Sequence, residues 1–343
     1  MTVLDFEDVV IHYRVARRLA ALVTGRPHRI EAVAGVTLGV PYGKTYALVG
    51  ESGSGKTTLG RAAVGLVPVT SGVIRIDGAD AQGFGDGPWR QIRRNAALMF
   101  QDPMASLNPR MRVAELIAEP LAVHRPDIRD RDARAAALLD RVGLHRGLLD
   151  RFPHELSGGQ ARRVSVARAL ALEPKLIIAD EPTAGLDVSV QGEILNLLMD
   201  IQDSSRTAYF IITHNLAIAR HVTDYIGIMY LGRLVEQGST AQIFAAPAHP
   251  YTNALLTAQV EALGSEAAPL QGEVPSLWER PPGCEFHPRC PMARETCRIL
   301  APPTLQIAPG HQVACHFPIV AGETAGANPP ADEDRRHPNS RIA

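Results

Sequence analysis

A glycine-rich stretch near the start of the chain has the residue types and the spacing of a phosphate-binding loop. Residues 50–57 fit the pattern G-x-x-x-x-G-K-[ST] in full and lie between an apolar run and a helical run. Glycines let the backbone wrap an anion closely, and the amide N–H groups that open the helix point at phosphate. Lys56 would neutralise the β- and γ-phosphates, and the Thr57 hydroxyl would ligate Mg²⁺. The nucleotide-binding residues predicted here are Gly50, Ser52, Gly53, Ser54, Gly55, Lys56, Thr57 and Thr58.

A pair of acids further along the chain supplies the other half of such a site. Residues 176–179 form an apolar run that leads directly into Asp180 and Glu181. A strand with this sequence would deliver Asp180 beside Mg²⁺, and Glu181 would then polarise a water for attack on the γ-phosphate. An apolar run that ends in acids is weak on its own. Combined with the phosphate loop, it indicates nucleotide hydrolysis.

A second anion site is indicated by residues 156–160, here called the signature motif, which read Leu-Ser-Gly-Gly-Gln and precede a helix. The Ser157 hydroxyl and the amides of Gly158, Gly159 and Gln160 would bind phosphate as the first loop does. At this point the sequence resembles the ABC-transporter ATPases. The resemblance implies a head-to-tail dimer in which the phosphate loop of one subunit faces the signature motif of the other, with ATP clamped between them.

Further motifs of that family follow in the expected order. Gln101 matches the Q-loop glutamine, which in the family senses Mg²⁺ or water and couples to the membrane subunit, and Asp187 lies in a D-loop. His214 matches the switch histidine that contacts the γ-phosphate, and Tyr13 matches the aromatic that stacks on adenine. The resemblance therefore implies a catalytic set of Glu181, His214 and Gln101, and Mg²⁺ ligands at Thr57, Gln101 and Asp180.

Several stretches resemble the oligopeptide/dipeptide importer ATPases in particular, namely residues 101–110, 151–156, 249–252 and 283–291. The resemblance implies a subunit that binds and hydrolyses ATP to power peptide import, peripheral on the cytoplasmic face of the cell membrane. It also implies a second, different ATPase subunit, two transmembrane permease subunits and an extracytoplasmic substrate-binding protein. It implies no nucleic-acid partner. Nickel, glutathione or another small solute remains an alternative cargo, and a soluble ABC ATPase acting on DNA or ribosomes is a remote alternative.

All four cysteines of the chain lie close together in a proline-containing segment near the C-terminus. Such clustering in an intracellular protein favours a metal site over disulfides, but the spacing lacks the C-x₂-C pairs of common zinc ribbons. Four thiolates could hold a [4Fe–4S] cluster, and the resembling family associates this pattern with one. Zinc and unmetallated thiols or fortuitous disulfides remain alternatives. The candidate ligands are Cys284, Cys290, Cys297 and Cys315.

The elements that must position these groups form an α/β pattern. Apolar runs at 45–49, 176–179 and 209–213 predict buried strands of a parallel sheet that alternate with helices. We therefore expect a P-loop NTPase of the ABC ATPase kind, with a parallel-sheet core, an N-terminal antiparallel β element and a helical subdomain at about 102–172. The predicted domains are an ATPase domain over 1–262, a Cys-containing C-terminal extension over 263–320 with little core of its own, and a disordered tail over 321–343.

Composition excludes several other classes of protein. The 343 residues carry 35 Lys and Arg against 36 Asp and Glu, which argues against a basic nucleic-acid-binding domain. Apolar residues make up 45%, so the chain is not largely disordered. The longest charge-free stretch contains Pro247, His249 and Pro250, which lipid tolerates poorly, and the N-terminus has no signal-peptide core. We expect a soluble, intracellular chain whose arginine-rich stretch at 14–29 is a solvated loop or a contact to lipid or a membrane subunit.

Overall fold

The structure, a computed structural model, describes residues 1–14, 29–81, 86–261 and 272–319. The predictions made for most of the arginine-rich stretch and for the C-terminal tail lie outside these residues and stay predictions.

The strands of the described chain follow the apolar runs of the sequence. They are β1 (Thr2–Arg14), β2 (Arg29–Pro41), β3 (Thr45–Val49), β4 (Ser71–Ile76), β5 (Ala79–Asp80), β6 (Ala96–Met99), β7 (Leu176–Asp180), β8 (Ala208–Thr213), β9 (Tyr225–Tyr230), β10 (Arg233–Ser239), β11 (Thr304–Ala308) and β12 (His311–Ala314).

Two sheets organise these strands. The main sheet has the order β11-β12-β10-β9-β3-β8-β7-β6, in which the strands from β9 to β6 are parallel and those from β11 to β10 are antiparallel. The second sheet is antiparallel, with the order β2-β1-β4-β5. The predicted parallel core with an N-terminal antiparallel element is therefore confirmed. The β11–β12 hairpin of the C-terminal extension continues the main sheet through β10, so the extension shares its backbone pairing with the core.

The helices connect the strands and cover the faces of the main sheet. They are α1 (Lys56–Ala63), α2 (Asp86–Asn95), α3 (Pro103–Ser106), α4 (Val113–His124), α5 (Arg131–Arg141), α6 (Gly158–Leu170), α7 (Val188–Ser205), α8 (Leu216–Val222), α9 (Thr240–Ala245), α10 (Pro250–Glu261) and α11 (Glu295–Ile299), with short 3₁₀ turns at Arg146–Leu148, Pro153–Glu155 and His287–Arg289.

The buried apolar side chains form separate layers around the main sheet. One cluster fills the space between the two sheets and α1, and another joins α4, α5 and α6 to β6, β7 and β8. A third lies over β3 and β9 and includes Phe286 from the extension. In the described part of the chain, no helix combines the length and hydrophobicity needed to cross a membrane. The first and third layers both pack beside the β3–α1 connection, where the phosphate loop lies.

Candidate functional site

The phosphate loop connects the buried strand β3 to α1, and two of its glycines are required by close backbone contacts. Gly55, which precedes α1, has a φ of 98°, and a Cβ there would lie 2.2 Å from the carbonyl oxygen of Ala32. A Cβ at Gly50 would lie 2.1 Å from the carbonyl oxygen of Met229. The loop therefore rests directly on β2 and β9, a proximity that only glycine permits.

Lys56 extends back across the loop that precedes it. Its Nζ donates to the carbonyl oxygens of Gly50 and Glu51, both at 2.8 Å, and to Ser54 Oγ at 3.1 Å. The side chain is buried, and burial lowers the pKa of Lys56, while the nearby carboxylates of Glu181, Asp180 and Glu51 oppose that shift. The ammonium group is thus held where phosphate oxygens would replace carbonyl oxygens as its partners.

Thr57 and Asp180 meet where α1 begins and β7 ends. Thr57 Oγ1 donates to Asp180 Oδ1 at 3.0 Å. Burial raises the pKa of Asp180, and the Thr57 hydrogen bond and the charge of Arg61 act in the opposite direction. A buried carboxylate beside a hydroxyl offers the oxygen donors that Mg²⁺ prefers. These two residues therefore fit the ion that the sequence predicts.

Glu181 and His214 form a second polar pair on the neighbouring strand ends. His214 Nδ1 lies 2.7 Å from Glu181 Oε1, and the Thr213 hydroxyl lies 3.5 Å from the other carboxylate oxygen. The Glu181 side chain is 13% exposed and that of His214 is 69% exposed. Glu181 has a left-handed φ of 49°, and its N–H donates to the Ile212 carbonyl. The backbone and His214 together fix the direction of this carboxylate.

One cavity of about 780 Å³ joins the phosphate loop to these strand ends. Tyr13 lies at its rim, where the phenol oxygen is 3.2 Å from Thr58 Oγ1. Asp180 and Ser54 lie behind the lining, in contact with Thr57 and Lys56. The predicted residues that line this cavity are Tyr13, Gly50, Ser52, Gly53, Gly55, Lys56, Thr57, Thr58, Gln101, Glu181 and His214.

Sequence reasoning missed five residues that line the same cavity, namely Ile30, Ala32, Glu51, Leu255 and Leu277. Glu51 occupies a position that the loop pattern leaves unspecified. The other four are ordinary apolar residues outside any motif. Ile30 and Ala32 belong to β2, Leu255 to α10, and Leu277 to the C-terminal extension. A motif search could have found only Glu51, because the others are placed by the fold alone.

The signature motif lies away from this cavity, at the start of α6. Ser157 Oγ accepts from the Gln160 N–H at 3.2 Å, and Gln160 Oε1 accepts from the Ser157 N–H at 3.0 Å. This reciprocal capping box orders the helix start. Gly158 and Gly159 follow as its first residues, and Asp187 precedes α7. The structure thus does not bring these predicted residues to the phosphate loop of their own chain.

The four cysteines line a single small cavity of about 10 Å³, together with His287 and His316. All four are free thiols. Burial raises the pKa of Cys290 to about 12 and that of Cys315 to about 11. Across the described ranges, no group of three or more His, Cys, Asp or Glu side chains is arranged to hold a metal ion. The structure therefore confirms that the cysteines converge, and it supports neither zinc nor an iron–sulfur cluster over free thiols.

A phosphate loop at the carboxyl end of a parallel strand, followed by a Thr–Asp pair and a Glu–His pair, defines a P-loop nucleotide hydrolase. Residues 33–184 match the family model "ABC transporter", and residues 235–297 match "Oligopeptide/dipeptide transporter, C-terminal region". Among solved structures, the ATP-binding cassette MJ0796 in a dimeric post-hydrolysis state with ADP and Pi is similar with a TM-score of 0.61 and 26% identity, over 69% of this chain and 98% of that one.

Two curated relatives match almost end to end. The di/tripeptide transport ATP-binding protein DppF of Pseudomonas aeruginosa is 44% identical over 92% of this chain and 97% of its own. The oligopeptide transport ATP-binding protein OppF of Salmonella typhimurium is 41% identical over 91% and 95%. The chain belongs to the ATP-binding subunits of ABC transporters, in the group that carries the oligopeptide/dipeptide C-terminal region, and its activity is that of an ATPase.

Proposed function

We propose that this protein hydrolyses ATP to power the import of peptides by a membrane transporter. The cavity that collects the phosphate loop, Gln101, Glu181 and His214 at the end of the parallel sheet carries the proposal. The peptide cargo is supported by the C-terminal region that matches its family model and by the names of the relatives.

Nucleotide binding is assigned first to Lys56 and the loop amides. Lys56 Nζ already faces inward across the loop, so it can exchange its carbonyl partners for phosphate oxygens without moving the backbone. Mg²⁺, when bound beside Thr57 and Asp180, would spread the negative charge of the phosphates. Gln101 on the cavity wall would complete that side of the site, and Tyr13 would cover adenine at the rim.

Hydrolysis is assigned to the Glu181–His214 pair. Glu181 is a carboxylate of low exposure that lines the cavity, so it can accept the proton of an attacking water. His214 holds one of its oxygens at 2.7 Å and is itself exposed to the cavity, where it can contact the γ-phosphate. Preorganised groups of this kind lower the barrier because they need little rearrangement during reaction.

The position of the signature motif supports a dimer. Ser157, Gly158 and Gly159 lie at the start of α6, and none of them lines the cavity of the same chain. We assign them to the ATP bound by a second ATPase subunit, with Asp187 at the same face. Each ATP would then be enclosed by two subunits, and its hydrolysis would release them.

A groove of about 330 Å³ between α2, β6 and the helices α4 and α6 supports a contact with the permease subunits. Phe100 is exposed in this groove and directly precedes Gln101. Motion at Gln101 on nucleotide binding would therefore reach a partner docked here. We assign the protein to the cytoplasmic face of the membrane, together with two permeases and an extracytoplasmic substrate-binding protein.

The substitution Glu181→Gln tests the proposal. Glutamine keeps the shape of the side chain but cannot accept the proton, so kcat should fall by at least about 100-fold while ATP binding remains. A deletion strain that carries this variant should fail to take up a dipeptide that the wild-type gene restores. Glu193→Gln, an exposed change on α7, is the control. Retained steady-state hydrolysis would contradict the role of Glu181, and dipeptide uptake independent of the gene would contradict the cargo.

We also propose that Cys284, Cys290, Cys297 and Cys315 hold a [4Fe–4S] cluster. Their convergence on one cavity supports this, since a [4Fe–4S] cluster is held by four cysteine thiolates. The raised thiol pKa values favour the neutral form, so a cation would be required for ionisation. Such a cluster would cross-link the turns of the extension.

Anaerobic purification tests the cluster. Brown protein with iron and acid-labile sulfide in equal amounts is expected, and Cys290→Ser should lose both. Colourless protein with stoichiometric zinc, or with no metal, would refute the proposal.

A further inference from the structure

The C-terminal extension reaches the phosphate loop through one ion pair. Arg289 lies on the 3₁₀ turn His287–Arg289, and its two terminal nitrogens donate to the two carboxylate oxygens of Glu51, at 2.7 and 3.0 Å. The Arg289 side chain is 5% exposed and that of Glu51 is 28% exposed. Two parallel charge-assisted hydrogen bonds with little solvent around them fix both the distance and the orientation of the partners.

Buried aromatic rings hold Arg289 in this direction. Its guanidinium carbon lies 5.9 Å from the centre of the Tyr230 ring, and Phe286 from the extension packs edge-on against the same ring. Tyr251 packs against both Tyr230 and Phe286. All three rings are fully buried. Arg289 therefore projects from a rigid base, and its reach towards the loop does not depend on a mobile surface turn.

Glu51 is held at three points as a result. Its carboxylate accepts from Arg289, its N–H donates to the Tyr251 hydroxyl at 3.0 Å, and its carbonyl accepts from Lys56 Nζ at 2.8 Å. Lys56 is the residue assigned to the phosphates. The extension thus fixes the backbone that orients both the loop amides and the lysine.

A second residue of the extension lies at the same cavity. Leu277 lines it, as do Leu255 of α10 and Ile30 and Ala32 of β2. Leu277 also packs against the buried cluster that contains Tyr251 and Phe286. The wall of the nucleotide cavity and the base of Arg289 are therefore parts of one packed unit.

We propose that Arg289 is a positioning residue for ATP, which holds the phosphate loop in its binding form through Glu51 and makes the C-terminal extension part of the nucleotide site. Without Arg289, the loop would have to be ordered by ATP itself, and the free Glu51 carboxylate would repel the phosphates. Both effects weaken ATP binding more than they slow the chemical step. The role of Arg289 concerns the affinity for ATP, beyond the proposed function, and does not depend on which cargo the transporter carries.

Steady-state kinetics of the full chain test the proposal. Arg289→Gln should raise the KM for ATP by about 3- to 10-fold and change kcat by less than about twofold. Arg289→Lys, which keeps the charge but not the paired geometry, should give a smaller increase. Adding Glu51→Gln to Arg289→Gln removes the repelling carboxylate, so the double variant should recover part of the affinity.

The control is Arg294→Gln in the same extension, where the guanidinium stacks on Phe317 and makes no contact with the loop. It should leave the KM for ATP unchanged. A KM within twofold of wild type for Arg289→Gln, or a loss of kcat at unchanged KM, would overturn the proposal. If Arg289→Gln does not fold, Glu51→Gln alone and Arg289→Lys test the proposal instead. An unchanged KM for ATP in both of these variants would also overturn it.

Discussion

At the scale of single residues, the groups of the site differ in how they are held, and this sets what each substitution should do. Lys56 and Asp180 are buried. Lys56 donates a hydrogen bond to the phosphate loop, and Asp180 accepts one from Thr57 at the start of α1. His214 is largely exposed, and its ring contacts the Glu181 carboxylate. Its removal should therefore report on chemistry with little effect on stability.

His214→Ala should lower kcat by about 100-fold or more, since Glu181 loses the partner at 2.7 Å that orients its carboxylate for proton transfer. The KM for ATP should change little, because no described contact joins His214 to the phosphate loop. Single-turnover and steady-state hydrolysis measure the effect. His221→Ala, on the exposed side of α8, is the matched control. Equal kcat values for the two variants would contradict the role given to His214.

The residues of the site also differ in whether the sequence alone can predict them. The loop residues, Asp180 and Glu181 lie in short contiguous motifs, because each is positioned by the strand or helix beside it. Arg289 and Leu277 reach the site from more than 220 positions beyond Glu51. Their placement depends on how the third apolar layer packs, which no local pattern encodes.

At the scale of elements, the phosphate loop depends on the strands beneath it as much as on its own sequence. The loop is in contact with β2 through Gly55 and with β9 through Gly50. The apolar runs and their spacing predicted the strands of the parallel core. They did not predict the β11–β12 hairpin, because its first strand is almost wholly exposed and has no alternation of buried and exposed residues. The extension was expected to have little core of its own, and its hairpin adds two strands to the edge of the main sheet.

Gly55→Ala should disrupt the start of α1. The new Cβ would lie 2.2 Å from the Ala32 carbonyl oxygen, in a residue whose φ is 98°. Backbone strain alone costs about 1–3 kcal/mol, and the clash adds to it. Gly78→Ala is the control, since it has a φ of 74° but no atom within 4 Å of the new Cβ. Thermal unfolding should show a larger loss for Gly55→Ala, accompanied by a loss of ATP binding. Equal losses of stability for both variants would mean that β2 moves away from the new Cβ, and that the close contact with the Ala32 carbonyl adds no cost.

At the scale of the whole molecule, a buried polar centre attaches the extension to the core. Glu236 on β10 is fully buried, and its two carboxylate oxygens accept from the N–H groups of Ala248 and His249, each at 2.8 Å. His311 Nε2 on β12 lies 2.7 Å from the same carboxylate. One side chain thus joins β10, the turn before α10 and the hairpin of the extension.

Glu236→Gln should loosen the extension and the nucleotide site together. The amide NH₂ of the new side chain would face one of the three groups that now donate to the carboxylate, and leaving a buried donor without an acceptor costs about 1–3 kcal/mol. Denaturant unfolding should show the loss, and hydrogen exchange should rise at β12. Glu295→Gln, which is 80% exposed in the extension, is the control. Because Phe286 and Arg289 belong to the same extension, the KM for ATP should rise as well. Faster exchange at β12 with an unchanged KM would mean that Arg289 is held by the aromatic cluster alone.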